Sequence, residues 1–256
     1  MKKILFLIFI AASLIGCKNT QNNKLTFTNN TELKSNTDEF IKFFKNYKER
    51  HYKAPNKIVE KEILREREKN IMGLMDSLIV FKNIKGNIRE ISIDDNILRY
   101  KIELGVGDGI NINLNCANIV KNKENNYFYN KVKNYRNYQD VYFDGIISIN
   151  IKNNLPKECF SIDEAFKISH PEYHFHVLDI SSSSLSDTLD VNVRDAMKLG
   201  KECMDYLSAK FRKEKYDKKE FDKKSDKFNE QKNNLTENQK SYIQRYMDAR
   251  SFDFVN

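Results

Sequence analysis

The chain has 256 residues, 40% hydrophobic and 31% charged, with 8 Gly, 3 Pro, no Trp and a formal charge of +8. That length holds one domain with an appendage or two small domains, and the apolar content supplies a core. The modest positive charge suits anionic headgroups, glycans or acidic proteins and does not by itself point to nucleic acid.

Lys2 and Lys3 form a short positive start, and Ile4 to Ile15 is apolar apart from Ser13. Such a run matches the apolar core of a signal peptide and falls short of the roughly 20 residues that span a bilayer. It ends in Leu14-Ile15-Gly16-Cys17. This stretch resembles the lipobox of bacterial lipoproteins. The resemblance implies that residues 1–16 are a signal peptide, that the Cys17 sulfur carries a diacylglycerol, and that the mature chain starts there. The other reading is an uncleaved apolar anchor. Two or three acyl chains, at about 0.8 kcal/mol per buried CH₂, would hold the protein firmly to the bacterial cell membrane on its extracytoplasmic side. Lys18 stands where an inner-membrane retention signal would place Asp, which favours the outer membrane in a Gram-negative host. Losing Lys2 and Lys3 with the leader takes the charge from +8 to +6. Residues 17–36 are polar and read as the lipidated Cys followed by a flexible tether.

Residues 37–77 read as a helical segment. Thr37 can cap a helix to residue 53 whose face is Phe40, Ile41, Phe44 and Tyr47; Pro55 interrupts, and Asn56 opens a second helix. The texture turns to strand over 78–182. Strands are expected at 78–93, Ile97–Leu104, Ile110–Val120, Val141–Ile151 and Tyr173–Ile180. Asp94-Asp95-Asn96 and GVGDG (105–109) are turns, residues 121–139 are a connection with a short helix, and Gly145 marks a bulge. Five strands with a long insertion between the third and fourth predict a small Greek-key barrel. The segments IKGNIREI, YKIELGVGDGININLNCANI, YQDVYFDGIISI and PEYHFHVLDI, in that order, resemble the OB-fold domains of bacterial envelope proteins related to the tRNA-anticodon-binding OB fold. The resemblance implies an α+β fold, a five-stranded OB-like antiparallel β-barrel flanked by N-terminal and C-terminal helices. Where such domains often have Gly-Asp before the fourth strand, this chain has Gln139-Asp140.

Residues 183–256 read as a charged helical extension. A linker, SSSSLSDTLD, leads to a helix over 192–215 capped by Asp190 or Asn192. Phe221, Phe228, Leu235 and Tyr242 recur every seven residues without the second apolar seam that a coiled coil needs, so the 210–234 stretch reads as a solvated helix laid along the domain. Thr236 and Gln239 form a capping box for a last helix to Arg250. With Cys17 assigned, Cys116, Cys159 and Cys203 remain, an odd number; Cys116 and Cys159 either pair or are small buried thiols.

Two constellations carry candidate chemistry. The connection before the fourth strand interleaves Tyr127, Tyr129, Tyr135 and Tyr138 with Lys131, Lys133 and Arg136, the pattern by which OB folds hold oligonucleotides or sugars; packed tyrosines and solvated lysines are the plainer reading. The stretch SHPEYHFH puts His174 and His176 on one strand face, with Glu172 in the same parity and His170 beyond Pro171. This set would suit Zn²⁺ or Cu²⁺, or would titrate near pH 6. No G-x-S-x-G, H-E-x-x-H, P-loop or paired CxxC is present, and GVGDG opens no helix that could cradle phosphate. Asp94, Asp95, Asp140 and Asp144 are carboxylates without a catalytic pattern. The expectation is a non-enzymatic binding or scaffolding lipoprotein with no resident cofactor, whose partner is an envelope protein or an anionic glycan. A metal- or pH-responsive protein and an unrecognised hydrolase are the alternatives.

Overall fold

Alternating apolar and polar residues build the centre of the molecule. The computed structural model describes residues 37–73, 80–94, 97–120, 126–148 and 168–255. Cys17, the tether, the end of the second predicted helix, the end of the fourth predicted strand and Cys159 lie outside them. Strands β1 (Phe81–Asp94), β2 (Ile97–Gly107), β3 (Ile110–Ile119), β4 (Asp140–Ser148) and β5 (Glu172–Ser181) close into a barrel in the order β1-β2-β3-β5-β4. The fold is α+β, an OB-like barrel flanked by helices. Leu98, Tyr100, Ile102, Leu104 and Val106 of β2 face inward, as do Ile110, Ile112, Leu114 and Cys116 of β3. Strict alternation sends every second side chain to the interior.

The expected all-antiparallel barrel is corrected in one respect. Four of the five pairings are antiparallel, but β3 and β5 run parallel, with Leu114 opposite Tyr173 and Cys116 opposite Phe175. The reason is parity. A closed ring of five strands cannot alternate direction at every neighbour, so at least one pair must be parallel. Cys116 is a free, buried thiol pushed above its ordinary pKa by burial.

Helices plug both ends. Helix α1 (Thr37–Tyr52) lies over the end holding the β2–β3 turn; Phe40 meets Phe81 at 4.8 Å and Phe44 meets Tyr173 at 5.8 Å between ring centroids. Thr37, read as a cap, donates its hydroxyl to the Lys82 carbonyl at 3.1 Å, fastening the helix to β1. Lys45 and Lys48 grip the turn, Lys45 Nζ standing 3.0 Å from Asp108 Oδ2. Helix α2 (Lys57–Gly73) backs α1; Asn56 caps it as expected, accepting from the Ile58 and Val59 amides. At the other end, helix α3 (Tyr127–Val132) buries Phe128 and Val132, with Asn126 as cap.

The C-terminal helices are docked rather than trailing. Helix α4 (Val191–Phe211) starts at Asp190, α5 is Lys218–Asn233, and α6 (Glu237–Val255) follows the Thr236–Gln239 capping box, whose two reciprocal bonds are both present. The pairs Glu202–Lys224, Tyr206–Phe221 and Asn192–Gln231 show that α5 runs antiparallel along α4, not along the barrel. Helix α6 is the element that reaches the sheet. Tyr242, Ile243, Tyr246 and Ala249 join Val80, Ile146, Leu178, Val193 and Met197 in a second apolar core outside the barrel. The Ser-rich linker is held: Asn83 Nδ2 donates to Ser184 and Asp187, and its Oδ1 accepts from the Leu185 amide.

Candidate ligand-binding face

The seven candidate residues lie on α3 and on the connection from it to β4. Three of their tyrosines each carry a cation over the ring. Lys131 Nζ is 4.9 Å from the Tyr127 centroid, Lys133 Nζ is 5.5 Å from that of Tyr129, and the Arg89 guanidinium is 5.1 Å from that of Tyr138.

The first of these pairs is structural. Lys131 Nζ also meets Asp179 Oδ1 at 3.0 Å. Burial lowers the Lys131 pKa, but the bonds to Tyr127 and Asp179 outweigh it and hold the ammonium above its usual range. Burial raises the Tyr135 hydroxyl. Arg245 reaches in from α6, donates Nε–H to the Leu178 carbonyl at 2.5 Å and lies over Phe128 at 5.1 Å. This group fastens α3 and α6 to the barrel.

The Tyr138 pair is different. Tyr138 is 70% exposed and has a left-handed backbone, φ 68°. An L-residue pays about 1–2 kcal/mol for that conformation, which glycine would adopt freely. Three bonds hold it there: its amide donates to the Ile88 carbonyl at 2.5 Å, Asn87 Nδ2 donates to its own carbonyl at 2.8 Å, and the Ile88 amide donates to Gln139. Arg89 is held in turn by Glu103, Nη2 to Oε1 at 2.5 Å, which raises its pKa. Arg136 is exposed beside this turn, its amide donating to Gln139 Oε1 at 3.0 Å. The result is an exposed aromatic plate with a guanidinium over its ring.

Arg89 was not legible as a partner. It sits at an irregularity in β1, where the register with β2 shifts between Ile88 and Glu90. The signal was present in the apolar spacing: Ile84 and Ile88 share a parity that Ile91 breaks, as one extra residue in a strand requires. Also unread was a buried ion pair, Lys82 with Asp144, to which Tyr242 of α6 and the Asn83 amide add bonds at 3.4 and 2.8 Å. Burial pushes the Asp144 pKa up against the pull of Lys82. Asp140 is exposed and pairs with Lys85 at 2.9 Å.

The histidine stretch keeps its expected parity: His174 and His176 face out while Tyr173, Phe175 and Val177 face in. Glu172 accepts from Asn115 Nδ2 at 2.7 Å, a cross-strand bond to β3. His176 is half-buried and bonded to the Ala117 backbone; burial drives its pKa down to about 4, and burial also lowers that of His174. His176 therefore stays neutral near pH 6. Among the described residues, no three His, Cys, Asp or Glu side chains converge on a point where a metal ion could sit.

No protein-family model matches the chain, and no curated protein matches it. Among the described residues, no helix is long and apolar enough to cross a membrane.

Proposed function

We infer that the protein is a lipid-anchored, extracytoplasmic binding module that holds an anionic glycan without chemically altering it. The anchor rests on the sequence ending at Cys17. The binding role rests on one observation: Tyr138, exposed and held in a backbone conformation unfavourable to it, with Arg89 fixed over its ring. Backbone strain at a large exposed aromatic persists where surrounding bonds over-determine it, and such positions cluster at ligand sites. A tyrosine face stacks on sugar rings, and Arg89 with Arg136 supplies charge for carboxylate or sulfate groups.

The test is calorimetric titration of the purified chain with a heparin-derived hexasaccharide. Tyr138→Gly suits the left-handed turn, so it keeps the fold while removing the plate. It is expected to weaken binding roughly tenfold or more, as loss of an aromatic anchor does. Equal binding by this variant, or no binding by the parent, rejects the reading.

A further inference from the structure

The hairpin joining α4 to α5 presents a second surface, far in sequence from the Tyr138 plate. Phe211, the last residue of α4, is 83% exposed, the highest value among the large apolar side chains described. Around it the chain reads KFRKEKYDKK over residues 210–219. Six of these ten residues are Lys or Arg and two are acidic. Both acids are already engaged: Glu214 accepts from Arg212 at 2.7 Å, and Asp217 caps α5 through the Lys219 and Glu220 amides. Lys210, Lys213, Lys215, Lys218 and Lys219 are all exposed and have no ion-pair partner among the described residues.

The tip is also closely bonded. Helix α4 ends in a Schellman turn, with the Glu214 amide bonded to the Ala209 carbonyl at 2.9 Å and the Lys213 amide to Lys210 at 3.1 Å. The left-handed position of such a turn usually holds glycine, but here it is Lys213, φ 59°. Behind it, Tyr206 packs on Phe221 at 6.1 Å and Lys224 bridges to Glu202 at 2.7 Å. The tip is cationic and led by one exposed aromatic ring, beside a shallow hollow lined by Tyr206, Leu207, Lys210, Tyr216, Lys218 and Phe221. It matches a headgroup layer, where lysines meet lipid phosphates and a ring enters the interface.

We propose that the α4–α5 tip docks on an anionic membrane surface, with Phe211 inserted among the headgroups and the five lysines on lipid phosphates. Its setting rests on the envelope reading, in which a tether of 17–36 leaves the domain free to turn toward the bilayer. The docking fixes that orientation.

The chain contains no Trp, so Phe211→Trp places a single reporter at the tip. The full protein carrying it is reconstituted with vesicles of phosphatidylcholine alone or with half phosphatidylglycerol. The expected result is a blue-shifted emission quenched by brominated lipid on the anionic vesicles only, reversed by salt. Each lysine changed to Gln is expected to lower the inserted fraction roughly fivefold. Emission that stays water-like on anionic vesicles overturns the proposal. So does equal insertion into phosphatidylcholine, no effect of the lysine changes, or a shift produced by an oligonucleotide or heparin but not by vesicles. Intact mass of the same preparation reports acylation of Cys17 separately, so failure of the anchor reading is distinguished from failure of the tip.

Discussion

Asp144 shows how this protein handles charge at the scale of single residues. Its carboxylate is buried with Lys82 and also accepts from the Asn83 amide and Tyr242 hydroxyl. Removing one member of such a pair leaves the other buried and unpaired. Asp144→Ala is therefore expected to destabilise by about 3–5 kcal/mol in denaturant unfolding, and Lys82→Met with Asp144→Ala together by distinctly less. A double variant as unstable as the single one would show that the pair is not the source. His176 gives the pH dependence. Its folded pKa of about 4 lies below the unfolded 6.5, so the unfolded chain binds more protons between those values. Stability is full above pH 6.5 and falls as pH drops toward 4, by about 3 kcal/mol, with His174 adding in the same direction. His176→Gln should flatten that slope in thermal melts across the window; an unchanged slope would place it elsewhere.

At the scale of elements, irregularities do the positioning. Register shifts fall at Arg89 in β1 and at Leu178 in β5, the extra residue opposite the Asp144–Gly145 step of β4; Arg89 lies over Tyr138, and Leu178 packs in the core beneath α6. Gly145 is required at the second shift, because a Cβ there would overlap the Phe175 ring and the His176 carbonyl. Gly145→Ala is expected to cost about 1–3 kcal/mol by overpacking; a neutral effect on the urea midpoint would mean that the bulge yields easily. Thr236→Ala, which removes the cap that starts α6, should cost about 1 kcal/mol. The strands of the barrel were legible because their alternation is local: Ile110, Ile112, Leu114 and Cys116 announce β3 without reference to anything else. The helix caps at Asn56, Asp190 and Thr236 were legible for the same reason. The parallel β3–β5 contact was not, since it joins residues far apart in the chain, and neither was the seat of α5 on α4. Of the candidate face, Tyr138 was visible in the sequence, but its distinction from Tyr127, Tyr129 and Tyr135 lies in a backbone angle and in Arg89, which the strand irregularity delivers.

At the scale of the molecule, the barrel and the C-terminal helices are stitched by an apolar core and by polar bonds. Ile243 and Leu178 meet in that core, while Tyr242 and Arg245 bond Asp144 and the Leu178 carbonyl. They are therefore expected to unfold together. Ile243→Ala should lower stability by about 2–5 kcal/mol, with helical ellipticity and tyrosine emission lost in one coincident transition; two separated transitions would contradict that coupling. One consequence is a division of surface. The plate at Tyr138 belongs to the barrel and the cationic tip at Phe211 to the helices, and the joint between barrel and helices fixes how the two surfaces are placed. The central claim, that Tyr138 and Arg89 form the binding face, is tested most directly by mapping backbone amide shifts during titration with the acidic hexasaccharide. The changes are expected to centre on Asn87, Arg89, Arg136 and Tyr138. Changes centred on the His174–His176 face, or none at saturating sugar, would contradict it.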